Sequence, residues 1–114
     1  MLKVAKFGGS SVAGAEQFEK VKNIIEADPS RRIVVVSAAG KRSADDHKLT
    51  DLLYLCHAHL TYGVSCDEIM QTIEQRFAEI RSALGLRYDV ESEMETLRAR
   101  LRRDMSVDEL VSRG

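Results

Sequence analysis

Four β-branched residues in a row, Ile33, Val34, Val35 and Val36, set between Arg32 and Ser37, limit more than any other feature what this chain can become. Side chains branched at Cβ lose rotamer freedom in a helix and fit a pleated strand, and an unbroken apolar run is the pattern of a parallel strand buried on both faces. Residues 32–37 therefore predict a strand. Residues 2–7 predict another, and between the two lie the turn Gly8-Gly9-Ser10-Ser11 and a helical segment over 15–27 with Phe18, Val21 and Ile25 on one face. The order β, loop, α, β implies parallel strands joined by a right-handed crossover, with both post-strand loops at one sheet edge. Gly8, Ser37 and Thr50 are expected to face one crevice there.

Past Ser37, the small and polar residues 38–48 suit a surface loop, and Thr50 is placed to cap a helix running through Leu52, Leu53, Leu55 and Leu60. Ser65 with Glu68 reads as a reciprocal capping box for a helix whose apolar stripe is Ile69, Ile73, Phe77, Ile80 and Leu84, stopped by Gly85. Ser92 with Glu95 reads as a second box, introducing a helix around Met94, Leu97 and Leu101, and Ser106 with Glu109 as a third. Only two strands stand out, with residues 86–90 a weak third candidate. A strand as apolar as residues 33–36 needs neighbours and covering helices, so the chain reads as the first part of a larger α/β domain.

Composition narrows the function classes. Seventeen Lys and Arg against eighteen Asp and Glu give a formal charge of -1, which supplies no global attraction for nucleic acid or an acidic membrane surface. Arg98, Arg100, Arg102 and Arg103 fit an exposed helical face, without the interleaved aromatics of a single-strand platform. No stretch approaches the roughly 20 apolar residues of a membrane span, and no terminal segment has the apolar core expected of a secretion signal. Two cysteines, Cys56 and Cys66, are too few for a disulfide framework, and the expected setting is reducing and cytoplasmic. With His57 and His59 they lack the paired spacing of a metal site, so no metal-ligating residues are assigned.

The chemistry concentrates at Lys6, Gly8, Gly9 and Ser10. Glycines at a strand end let backbone amides approach a ligand, and a lysine beside them can neutralise phosphoryl oxygens. Ser10 replaces the second glycine of a dinucleotide fingerprint, and around Gly40-Lys41 a phosphate loop of the Walker kind is excluded by Val35 and Arg42. By residue type alone, a glycine turn serving backbone geometry, a strand-capping Ser37 and an N-capping Thr50 explain the same residues without a ligand.

Residues 4–13, Val-Ala-Lys-Phe-Gly-Gly-Ser-Ser-Val-Ala, resemble the opening signature of aspartokinases, and residues 34–42, 48–53 and 108–114 resemble later segments of that family in the same order. The resemblance implies an α/β fold, the N-terminal portion of an amino-acid-kinase, carbamate-kinase-like three-layer αβα sandwich. It implies phosphoryl transfer from ATP, with Mg2+, to the side-chain carboxylate of L-aspartate, giving 4-phospho-L-aspartate and ADP in the biosynthesis of lysine, threonine and methionine. Lys6 then matches the catalytic lysine that engages the transferring phosphate, with Gly8, Gly9 and Ser10 as phosphate-binding residues. Ser37, Ala38, Thr50 and Asp51 match the substrate-binding side.

The same resemblance implies a homo-oligomeric parent enzyme with no nucleic-acid or membrane partner. Residues 1–114 are expected to be part of the catalytic domain, truncated before its nucleotide-binding half and the regulatory domains, and inactive by themselves. The family's glutamate after Ser112-Arg113-Gly114 is not in the sequence. Two other readings are another amino-acid kinase and a non-catalytic fragment that binds aspartate or nucleotide.

Overall fold

The first fifty residues are organised by a turn that contains the chain's single proline. Asp28 accepts from both the amide and the hydroxyl of Ser30, at 3.0 and 2.6 Å, and from the ammonium of Lys3 at 2.7 Å. The Lys3 amide in turn donates to the Ser30 carbonyl at 2.7 Å. These bonds set strand β1, Lys3–Phe7, beside strand β2, Arg31–Val36, in a parallel pair that matches Lys6 with Val35 and Phe7 with Val36. Arg31 adds a tie by donating to the carbonyl of Ile24.

The computed structural model describes residues 1–101 and 106–111 and divides into two compact units, Met1–Leu49 and Thr50–Gly114. In the first unit, helix α1, Ala15–Glu26, connects the strands and packs on one face of them. Phe7, Val12 and Val21 are buried there, with Ala5, Phe18 and Ile25 against them. The period-2 alternation of a strand puts Ala5 and Phe7 on the α1 side and leaves Lys6 with Val4 on the other, as the sequence pattern predicts. The α/β class and the parallel order are therefore as expected.

The expected burial of β2 on both faces is not found. Ile33, Val34, Val35 and Val36 are 46, 39, 46 and 58% exposed. The sheet has two strands among the described residues, so no described strand pairs with the outer edge of β2.

The second unit is helical: α2, Leu49–Thr61, which starts one residue before the unit boundary, α3, Asp67–Leu84, α4, Val90–Leu101, and α5, Val107–Val111. Both α2 and α3 end in the same device, a left-handed glycine, Gly63 at φ 69° or Gly85 at φ 65°. In each, the residue after the glycine donates five positions back, Val64 to His59 at 2.7 Å and Leu86 to Arg81 at 2.9 Å. The buried residues of α3 are Met70, Ile73, Arg76 and Ile80, so Ile73 and Ile80 of the expected stripe are buried and Ile69, Phe77 and Leu84 are half-buried, while Met70 and Arg76 were not anticipated. Arg81 grips Glu91 with both terminal nitrogens, at 2.5 and 2.7 Å, and Arg98 reaches Glu74 at 3.3 Å, joining α4 to α3.

Three helix starts differ from the sequence expectation. Thr50 sits inside the first turn of α2 instead of capping it, since the helix begins at Leu49. The Ser65 hydroxyl accepts from the Asp67 amide at 3.3 Å, a local turn that delays α3 by a residue. Asp89, three residues ahead of Ser92, accepts the Ser92 amide at 3.0 Å and starts α4 early. Ser106 does cap α5, accepting from Glu109 at 3.2 Å. Residues 86–89 form no strand. The readings that involve Arg102, Arg103 and residues 112–114 lie outside the described residues.

Candidate functional site

Because β1 and β2 are parallel, the segments that leave them emerge at one end of the sheet, and hydrogen bonds join them there. Ser37 donates its amide to the Phe7 carbonyl at 3.0 Å, Gly40 to Gly9 at 2.8 Å, and Leu49 to Ala39 at 3.0 Å. After β1 the chain enters a 3-10 turn, Gly9–Val12, closed by the Ser11 amide on the Gly8 carbonyl at 3.0 Å. The first amides of such a turn, those of Gly9 and Ser10, have no acceptor inside it. Gly8 and Ser10 are exposed, and Val12 and Ala13 anchor the far end of the turn in the interior.

The structure thus brings Lys6, Gly8, Gly9 and Ser10 to the same sheet edge as Ser37 and Ala38. Lys6, the second-last residue of β1, lies on the face opposite α1 and is exposed, and its ammonium has no ion-pair partner among the described residues. A free ammonium beside exposed amides is an anion-receptive arrangement, and it leaves the lysine's charge to be neutralised by a ligand instead of by the fold. Thr50 and Asp51 occupy the first turn of α2, the former half-buried and the latter exposed, in the second unit.

Two features escape a residue-by-residue reading of the sequence. A Cβ on Gly40 would stand 2.6 Å from the carbonyl carbon of Gly9 and 2.8 Å from the Ser10 amide nitrogen, so only glycine lets the two loops meet. Its signal was the run of small residues, Ala38-Ala39-Gly40, directly after the strand. The loop beyond it is braced by Arg42, which gives Asp46 its backbone amide at 2.9 Å and its Nε and Nη2 at 2.6 and 3.0 Å. The guanidinium hydrogen bond holds the Asp46 carboxyl well below the usual carboxylate range. Lys41-Arg42 had read as solvated surface charge, and Asp45-Asp46 as a solvated loop. An Arg four residues before an Asp was the available sign.

No group of three or more His, Cys, Asp or Glu side chains suited to a metal ion occurs among the described residues. Nor is any described helix long and apolar enough to cross a membrane.

Comparison with known proteins identifies the family. Residues 1–109 match the Amino acid kinase family. Over 85 residues the chain is 45% identical to Aspartokinase 3 of Bacillus subtilis (strain 168), covering 75% of this chain and 19% of that protein. The crystal structure of an aspartate kinase from Clostridium acetobutylicum superposes with a TM-score of 0.92 at 44% identity, over 97% of this chain and 26% of that one. That of E. coli aspartokinase III in complex with aspartate and ADP superposes with a TM-score of 0.76 at 28% identity, over 100% of this chain and 26% of that one. The chain spans about a fifth to a quarter of the length of these relatives. With the family match running through both strands, both loops and the helices that follow, the chain belongs to the Amino acid kinase family.

Proposed function

We propose that this chain is part of the catalytic domain of an aspartate kinase, an enzyme that transfers a phosphoryl group from ATP to the side-chain carboxylate of L-aspartate and releases 4-phospho-L-aspartate and ADP. The observation that carries the reading is the junction at the sheet edge, where the Lys6–Ser10 segment and the Ser37–Gly40 segment are joined by the Gly40 amide on the Gly9 carbonyl. The likeness to proteins named aspartokinases, one of them complexed with aspartate and ADP, supports the choice of substrates.

In this reading each residue has a physical task. Phosphoryl transfer needs little covalent help from the protein and much alignment and charge stabilisation. The Lys6 ammonium meets the charge on the phosphoryl oxygens, and the Gly9 and Ser10 amides donate to the same group. Ser37, Ala38, Thr50 and Asp51 serve the aspartate. An aspartate carboxylate is already ionised at neutral pH, so it attacks phosphorus without a general base and without a protein nucleophile. The described residues build no Mg2+ site of their own, and the ion enters the proposal only with the nucleotide; no step is assigned to it. A homo-oligomeric parent enzyme belongs to the same reading.

The test is ATP-dependent formation of aspartyl phosphate, trapped as the hydroxamate, by the polypeptide that contains this chain. Omission of aspartate and its replacement by other amino acids serve as controls. Product with aspartate alone supports the reading; product with a different amino acid, or none, overturns it.

A further inference from the structure

We propose that Cys56 and Cys66 form a peroxide-responsive modification site, a dithiol that closes to an intramolecular disulfide between α2 and the start of α3. Both are free thiols and both are buried, at 0 and 7% exposure. The end of α2 brings them together. Gly63 reverses the chain, and His59 donates from Nδ1 to the Ser65 carbonyl at 3.1 Å, pinning the residue before Cys66 alongside the last turns of α2. Cys56, His59 and Leu60 share a helical face by their spacing of three and four. Leu60 and Cys66 line one cavity of about 160 Å³, partly open to solvent.

The Cys66 thiol lies near enough to Cys56 to disfavour its ionisation. Burial pushes the Cys56 thiol up to about 12, and the neighbouring Cys66 adds to it, so Cys56 keeps its proton. The pair is therefore unequal. Cys66 borders the cavity, which has ample room for a molecule the size of water or hydrogen peroxide, whereas Cys56 is fully buried. The exposed-side sulfur is the one an oxidant meets; the buried one stands ready to resolve it.

The chemistry closes with a peroxide as the oxidant. Cys66 sulfur attacks one peroxide oxygen and breaks the O–O bond, becoming a sulfenic acid while its proton leaves with the other oxygen as water. Cys56 sulfur then attacks the sulfenic sulfur and displaces the hydroxyl, which departs with the Cys56 proton as a second water. Two thiols lose two electrons, and one peroxide is reduced to two waters.

The folded 114-residue chain is treated with hydrogen peroxide, alkylated in denaturant, digested and read by mass spectrometry. The expected product is an intrachain Cys56–Cys66 link, lighter by two hydrogens, reversed by dithiothreitol and formed with the far-ultraviolet circular dichroism unchanged. In Cys56→Ser, dimedone should label Cys66, and in Cys66→Ser, Cys56 should remain an unmodified thiol. The wild-type link decides the matter even if either variant fails to fold. Both thiols alkylated after peroxide, links only between chains, sulfinic acid at Cys66 without a link, or a link that forms only in urea would each overturn the proposal.

Discussion

Gly40 lies against Gly9 with its amide on the Gly9 carbonyl at 2.8 Å, closer than any side chain at position 40 permits. The atoms that a Cβ would strike are all backbone, which cannot swing aside as a side chain can. Gly40→Ala is therefore expected to destabilise the chain by about 1–3 kcal/mol, the usual cost of forced overpacking. Urea denaturation of the two proteins side by side checks the shift. An unchanged midpoint would mean that the loops part at no cost.

Lys6 contributes charge and no packing. Its ammonium is exposed and has no ion-pair partner among the described residues. If the proposed function holds, Lys6→Met in the polypeptide that contains this chain should leave the melting temperature nearly unchanged and cut turnover by at least roughly 100-fold, the low end for loss of a major electrostatic stabiliser. Lys6→Arg should also be impaired, since a broad fork does not replace a compact ammonium. Paired melting curves and initial rates separate a catalytic from a structural lysine, and normal turnover in Lys6→Met would remove it from the reaction.

Acid should loosen the bond between α3 and α4. Hydrogen bonding from Arg81 holds the Glu91 carboxyl at about 2, below its ordinary 4.5. A carboxylate depressed on folding stabilises the fold above its unfolded value and loses that contribution as pH falls toward its folded value, here between about 4.5 and about 2. Glu91→Gln should flatten the decline of melting temperature across that window and change little at low pH. Both side chains reach solvent, so added salt should shrink the difference at neutral pH.

Leu53 is 1% exposed on α2, where truncation leaves a void that its neighbours fill only in part. Leu53→Ala should cost about 2–5 kcal/mol, whereas truncation of the exposed Tyr54 beside it should fall within about 0.5 kcal/mol of wild type. Denaturant midpoints for the two variants provide the comparison.

The strands, their parallel order and the joined loops were readable because each rests on local chemistry: branching at Ile33–Val36, glycines at Gly8-Gly9, and a helical stripe at Phe18, Val21 and Ile25. Helix starts were harder to read. Near Ser65 and Ser92 several oxygens compete for the same few amides, and Asp89 reaches one before Ser92 can serve as the cap. On α3, apolar periodicity found Ile73 and Ile80 but missed Arg76, because it counts apolar side chains while the fold buries an arginine in line with Met70 and Ile73. At the site, Lys6 and the glycines carry their own signature. Gly40 does not, since its importance comes from a distant neighbour, Gly9, which no local pattern shows.

The bare valines of β2 have a practical consequence for anyone handling this chain. A strand with no described strand paired along its outer edge, carrying the exposed Ile33, Val34, Val35 and Val36, is a template onto which another copy can add. Self-association should accordingly climb with concentration and start at this strand, and one lysine introduced at Val34 should act as a gatekeeper that keeps the preparation clear.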